Sequence, residues 1–160
     1  MRVTDTGQGG TLARTHEGKP GLPRGRSRLP RPAVRASQRE RLLRSVIAAV
    51  SESGYLAVTV ADIVRPARVS RAAFYAHFAD KEDCFLTATA EGRDLMVAQV
   101  VSATRALPAE ACDEEVLRVA CRAYLAFLAG EPAFARVFYP HADGGPARGG
   151  PARCRHQPVR

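Results

Sequence analysis

Residues 38–143 predict an all-α fold, and three observations carry that expectation. Helix breakers are sparse there: three Gly and four Pro in 106 residues, against six Gly and four Pro in residues 1–37 and four Gly and three Pro in residues 144–160. Glycine and proline interrupt regular structure, so the folded part lies between the two rich ends. Apolar residues within it recur every three to four positions, the helical period. No alternating apolar–polar run longer than a few residues argues for a strand, and no internal repeat is present.

The elements follow in order. Ser37-Gln38-Arg39-Glu40 has the form of a capping box, and Leu42, Leu43, Val46, Ile47 and Val50 continue as one apolar stripe. Gly54 suits the left-handed position beyond a helix end, so a first helix is expected over 38–53. Thr59 and Asp62 repeat the capping signature before Val60, Ile63, Val64 and Ala67. Pro66 cannot donate to the Asp62 carbonyl, which keeps this second helix short or distorts its end. Ser70 caps a third, from residue 71 to about 77, burying Phe74 and Phe78. Asp80 to Asp83 open a long fourth helix ending before Pro108, with Gly92 a weak point inside it. A fifth is expected over about 110–129, stopped by Gly130. A sixth starts at Glu131-Pro132, with proline in the tolerated first turn, and offers Phe134, Val137 and Phe138.

Composition narrows the function classes. Of 24 basic residues 22 are Arg, and the net charge is +8, which favours a polyanionic partner. The charge is unevenly placed. Residues 1–37 carry net +6, 38–85 net +1, 86–143 net −3 and 144–160 net +4. The acidic second half of the folded part is therefore a poor surface for DNA. The longest charge-free apolar stretch, 95–104, is ten residues, half a membrane span, so no membrane partner is expected. No secretory leader is evident and a cytoplasmic, nucleoid-associated location is expected. Cys84, Cys112, Cys121 and Cys154 have no metal-ligand spacing and read as reduced thiols. No metal or cofactor is expected. No nucleophile–base constellation or phosphate loop appears, and adjacent Glu114 and Glu115 diverge on a helix, so no catalytic residue is expected.

Two short helices joined by a tight turn form the pattern of a helix-turn-helix. A major groove about 12 Å wide admits a helix only if its outward residues are small or hydrogen-bonding. Arg71, Ala72, Ala73 and Tyr75 outward, with Val69, Phe74 and Phe78 inward, satisfy that requirement.

The run from Arg41 to Leu86 resembles the DNA-binding headpiece of TetR/AcrR-type bacterial transcriptional regulators. The residues that carry the likeness are Gly54-Tyr55, Thr59-Val60-Ala61-Asp62-Ile63, Val69-Ser70, Phe74-Tyr75-Ala76-His77-Phe78, Lys81-Glu82 and Phe85-Leu86. The resemblance implies a three-helix helix-turn-helix headpiece followed by a helical regulatory domain, here expected to be truncated, and the Gly/Pro-rich ends are expected to be disordered tails. The expected division is 1–37 tail, 38–86 DNA-binding domain, 87–143 partial effector and dimerisation domain, and 144–160 basic tail. It implies a homodimeric, ligand-responsive repressor that binds double-stranded DNA at a palindromic operator and responds to a small-molecule effector. Carried over by position, Arg71, Ala72 and Ala73 face bases, Tyr75, His77 and Lys81 meet phosphate, and Thr59 caps the helix that meets the backbone. Met96, Tyr124, Phe127 and Phe138 are the candidates for an effector pocket.

The chain also departs from that family. Arg68 stands where the family often has Gly, at a cost of roughly 1 kcal/mol if the backbone there is left-handed; it also offers a phosphate contact. Apolar periodicity ends after Phe138, where the family continues with its dimer-forming helices. A second reading therefore stands beside the first: a shortened helix-turn-helix remnant that binds DNA weakly or only by pairing with an intact paralogue. Plainer roles stand beside the site residues too. His77 also fits a core edge, Tyr75 a cover for Phe74, Arg65, Arg68 and Arg71 a solvated face, and the four pocket candidates ordinary core. The Arg-rich stretch before residue 37 fits a disordered extension, a misassigned start, or a basic arm reaching DNA.

Overall fold

Six helices and no strand make up the described residues, 10–13 and 30–139, of the computed structural model. They are α1 (Arg31–Ser53), α2 (Val60–Ala67), α3 (Arg71–Tyr75), α4 (Lys81–Arg105), α5 (Asp113–Gly130) and α6 (Pro132–Phe138). The all-helical expectation holds among these residues. Residues 144–160 and most of 1–37 lie outside them.

The helix starts follow local chemistry, with one correction. α1 begins at Arg31, seven residues before the expected start, and runs straight through Ser37. Pro32 sits in the first turn, where its missing N–H has no helical partner to lose, and Val34 N donates to Pro30 O at 3.2 Å. Pro30 and Pro32, two of the four prolines that suggested a tail, therefore sit at a helix start. The other caps are as expected. Asp62 Oδ2 accepts from Thr59 N at 3.0 Å and Thr59 Oγ1 at 2.6 Å. Ser70 Oγ accepts from Ala73 N at 3.1 Å, and Asp80 Oδ1 from Asp83 N at 2.8 Å. Gly54 closes α1 at φ 78°. Gly130, the expected stop of α5, is instead its last residue, and Pro132 starts α6 almost without a break.

One continuous core joins the elements. Leu42, Val46 and Ile47 of α1 pack with Ile63 and Ala67 of α2, Phe74 of α3 and Phe78 beyond it, and Cys84 and Ala88 of α4. Buried Ser45 ties α1 to α2 by donating to Ile63 O at 2.7 Å. Burial, and then nearby Asp83, push the Cys84 thiol up to about 12, leaving it inert. α4 and α5 pair lengthwise, and α6 returns against α1. Phe134 of α6 is fully buried, edge-on to Phe127 and stacked on Phe138. Residues 10–13 dock at the α5–α6 junction. There the buried Glu131 carboxylate accepts from Thr11 N at 2.8 Å, Thr11 Oγ1 at 2.5 Å and Leu12 N at 2.9 Å.

Candidate nucleic-acid interface

Between positions 59 and 77, Thr59, Ala61, Arg65, Arg68, Ser70, Arg71, Ala72, Tyr75 and Ala76 are exposed, while Ile63, Ala67, Val69 and Phe74 are buried. α2 is amphipathic: Ile63 and Ala67 are buried, and the Thr59–Asp62 cap fixes its start. The Thr59 hydroxyl, and then the Thr59 amide, hold the Asp62 carboxyl below the usual carboxylate range. Pro66 stays inside α2 in its last turn, and the helix ends one residue later, as its missing N–H predicts.

The turn to α3 is made by Arg68 at φ 52°, ψ 43°, the left-handed region. It is the only non-glycine residue with positive φ among the described residues. Its N–H is bonded to Arg65 O and its side chain is exposed. The strain expected from an Arg in a glycine-favouring position is therefore present.

α3 separates its faces as the groove requires. Phe74 is fully buried, and Val69 and Phe78 on either side are nearly so. Arg71 and Ala72 are exposed, and Tyr75 is 51% exposed with its ring edge-on to Phe74. Ala73 departs from the expected outward row: it is half-buried against the core. The outward face is thus Arg71, Ala72, Tyr75 and Ala76.

His77 and Lys81 sit at the far edge. His77 Nε2 lies 3.5 Å from Gln38 Oε1 of α1 and is half-buried. Burial first, then the Arg35 and Arg39 guanidinium groups, hold its imidazole below its usual range. Lys81 turns inward. Its ammonium donates to Tyr55 O and Val58 O, both at 2.8 Å, and lies 4.3 Å from the Tyr55 ring centroid. Two of its three N–H bonds therefore close the α1–α2 connection. The dipole argument that aimed Lys81 at phosphate missed these two carbonyls, because nothing in the spacing reveals where loop carbonyls point.

The four effector-pocket candidates are not gathered around a cavity. Met96 and Phe127 are core; Tyr124 and Phe138 pack against it, and the Tyr124 hydroxyl pairs with that of Tyr139. A cleft of about 300 Å³ is lined by Leu95, Gln99, Ala126, Phe127, Gly130 and Glu131 together with Thr11 and Leu12. Only Phe127 is shared with the expected set. The aromatic side chains fill their own space, and the missed residues are the small ones at the α5–α6 bend. Among the described residues no cluster of three His, Cys, Asp or Glu is placed to hold a metal, and no helix is long and apolar enough to cross a membrane.

Residues 43–88 match the family model of bacterial regulatory proteins, tetR family. The match takes in the last eleven residues of α1, all of α2 and α3, and the start of α4. No curated protein matches the chain.

Proposed function

Residues 43–88 are a TetR-family helix-turn-helix domain, and from that premise we propose that this DNA-binding transcriptional regulator is a sequence-specific, ligand-responsive repressor acting as a homodimer on a palindromic operator. Regulators of this family are non-enzymatic DNA-binding proteins. The observation that carries the finer reading is the split face of α3. Arg71, Ala72 and Tyr75 project from a helix whose other side is locked by fully buried Phe74. Arg71 pairs with guanine through both guanidinium donors, and Ala72 admits the base edges closely. Thr59, Arg68, Tyr75 and His77 meet phosphates and set the register. Lys81 acts here mainly by fixing the α1–α2 connection against α4.

The same reading divides the chain into a headpiece over 38–86 and a helical regulatory part over 87–143, in the cytoplasm. Exposed leucines support pairing with a second copy: Leu117 is 64% and Leu125 62% exposed on one side of α5, eight residues apart and hence two turns along the same face. The cleft beside Glu131 is the place for a small effector.

Selection of bound sites from random duplex DNA, followed by light scattering of the complex, tests the proposal. A palindromic motif with two chains per duplex supports it. A lone half-site bound by a single chain, or no enriched motif, favours the shortened remnant.

A further inference from the structure

The first three turns of α1 lie outside the family match and bury little. Its buried positions begin at Leu42, so residues 31–41 project past the core. That projection carries four arginines and one acid, Glu40, which pairs with Arg44. Arg39 is tied into the fold, bonding Glu91 at 2.6 Å and lying over the Phe78 ring. Arg41 is drawn against the fold, its buried Nε and Nη1 without a hydrogen-bond partner among the described residues. Arg31 and Arg35 remain, four residues apart on one face, both exposed and neither paired with a carboxylate among the described residues. Like charges at this spacing repel, and the amino-terminal end of a helix repels cations further.

The direction of this face is set by a contact. Arg35 Nη2 donates to Ala76 O at 3.5 Å, at the carboxyl end of α3. Gln38, one turn on, meets His77. The arginine face therefore flanks the end of the helix whose outward residues are Arg71, Ala72 and Tyr75. A duplex that takes α3 into its major groove presents its flanking phosphates beside that helix. We infer that Arg31 and Arg35, together with His77, form a second phosphate-binding edge that grips the DNA backbone beside the recognition helix. The edge rests on the DNA-binding reading above and adds affinity without sequence preference.

The test compares full-length R31A/R35A with the unmodified chain by salt-titrated gel shift on random-sequence duplex DNA. A charge-matched R105A/R136A variant, altered at exposed positions of α4 and α6, is the control. Each phosphate neutralised contributes about 0.9 to the slope of log affinity against log salt. The expected result is a slope lowered by roughly one to two and affinity lowered about tenfold or more at low salt, with the control unchanged and R31K/R35K restoring both. Circular dichroism checks that the helix remains, since alanine favours it. If R31A/R35A behaves as R105A/R136A does, the phosphate edge is wrong while the DNA-binding reading stands. If the unmodified chain binds no duplex at all, both fall.

Discussion

The Phe134 ring occupies the space that a side chain on Gly92 would need. A Cβ at Gly92 would overlap the Phe134 ring, and Phe134 is fully buried. The glycine that weakens α4 as a helix is what lets α6 seat against it. Gly92→Ala therefore pits two effects against each other. Helix propensity favours alanine by about 1 kcal/mol. Forcing an extra methyl into a filled core costs about 1–3 kcal/mol, and overlap with a buried ring falls at the upper end. The expected result is a net loss of about 1–2 kcal/mol in urea unfolding. A gain in stability would mean that Phe134 has another place to go.

Arg68 supplies a prediction of opposite sign. A non-glycine residue in the left-handed region costs roughly 1–2 kcal/mol, part of which glycine returns through its greater freedom when unfolded. Arg68→Gly is expected to raise stability by roughly 0.5–1 kcal/mol while weakening DNA binding by one phosphate contact. Thermal unfolding and gel shift on the same variant separate the two roles. A variant less stable than the parent would show that the Arg68 side chain does structural work that outweighs the strain.

Lys81 distinguishes a fold contact from a DNA contact. Its two carbonyl partners and the Tyr55 ring predict that Lys81→Met lowers stability by about 1–3 kcal/mol. A residue acting only on phosphate would leave the unfolding midpoint where it was and lower binding alone.

Glu131 holds residues 10–13 through two amides and a hydroxyl. Hydrogen exchange at the Thr11 and Leu12 amides reads that docking directly. Both are expected to be protected in the unmodified chain and to exchange rapidly in Glu131→Ala, with intermediate protection in Glu131→Gln, which keeps one acceptor oxygen. Equal protection in all three would mean the segment is held by Leu12 and Ala13 packing instead.

The parts of this fold legible in the sequence are those fixed by local rules. Thr59, Ser70 and Asp80 cap the helices that their side chains suggested, and Phe74 and Phe78 are buried at the spacing that predicted it. What escaped depends on long-range geometry or on a residue with two meanings. Pro32 reads as a breaker but starts α1. Lys81 reads as a free cation at a helix start, but carbonyls 23 and 26 residues away claim it. The cleft at the α5–α6 bend is formed partly by Thr11 and Leu12, 120 and 119 residues from the Glu131 that binds them, and no periodicity announces such a contact. The outward row of α3 was legible except at Ala73, which the core draws in.

The proposed function stands on α3 reading base edges through Arg71. The most direct measurement is a competition gel shift at physiological salt, with a selected site against a scrambled duplex, on the unmodified chain and on Arg71→Ala. A bidentate arginine–guanine pair discriminates by about 1–3 kcal/mol, roughly ten- to a hundredfold. The account predicts that the unmodified chain prefers the selected site and that Arg71→Ala loses that margin while still binding both duplexes. Equal binding of site and scramble by the unmodified chain, or an unchanged preference in Arg71→Ala, would contradict it.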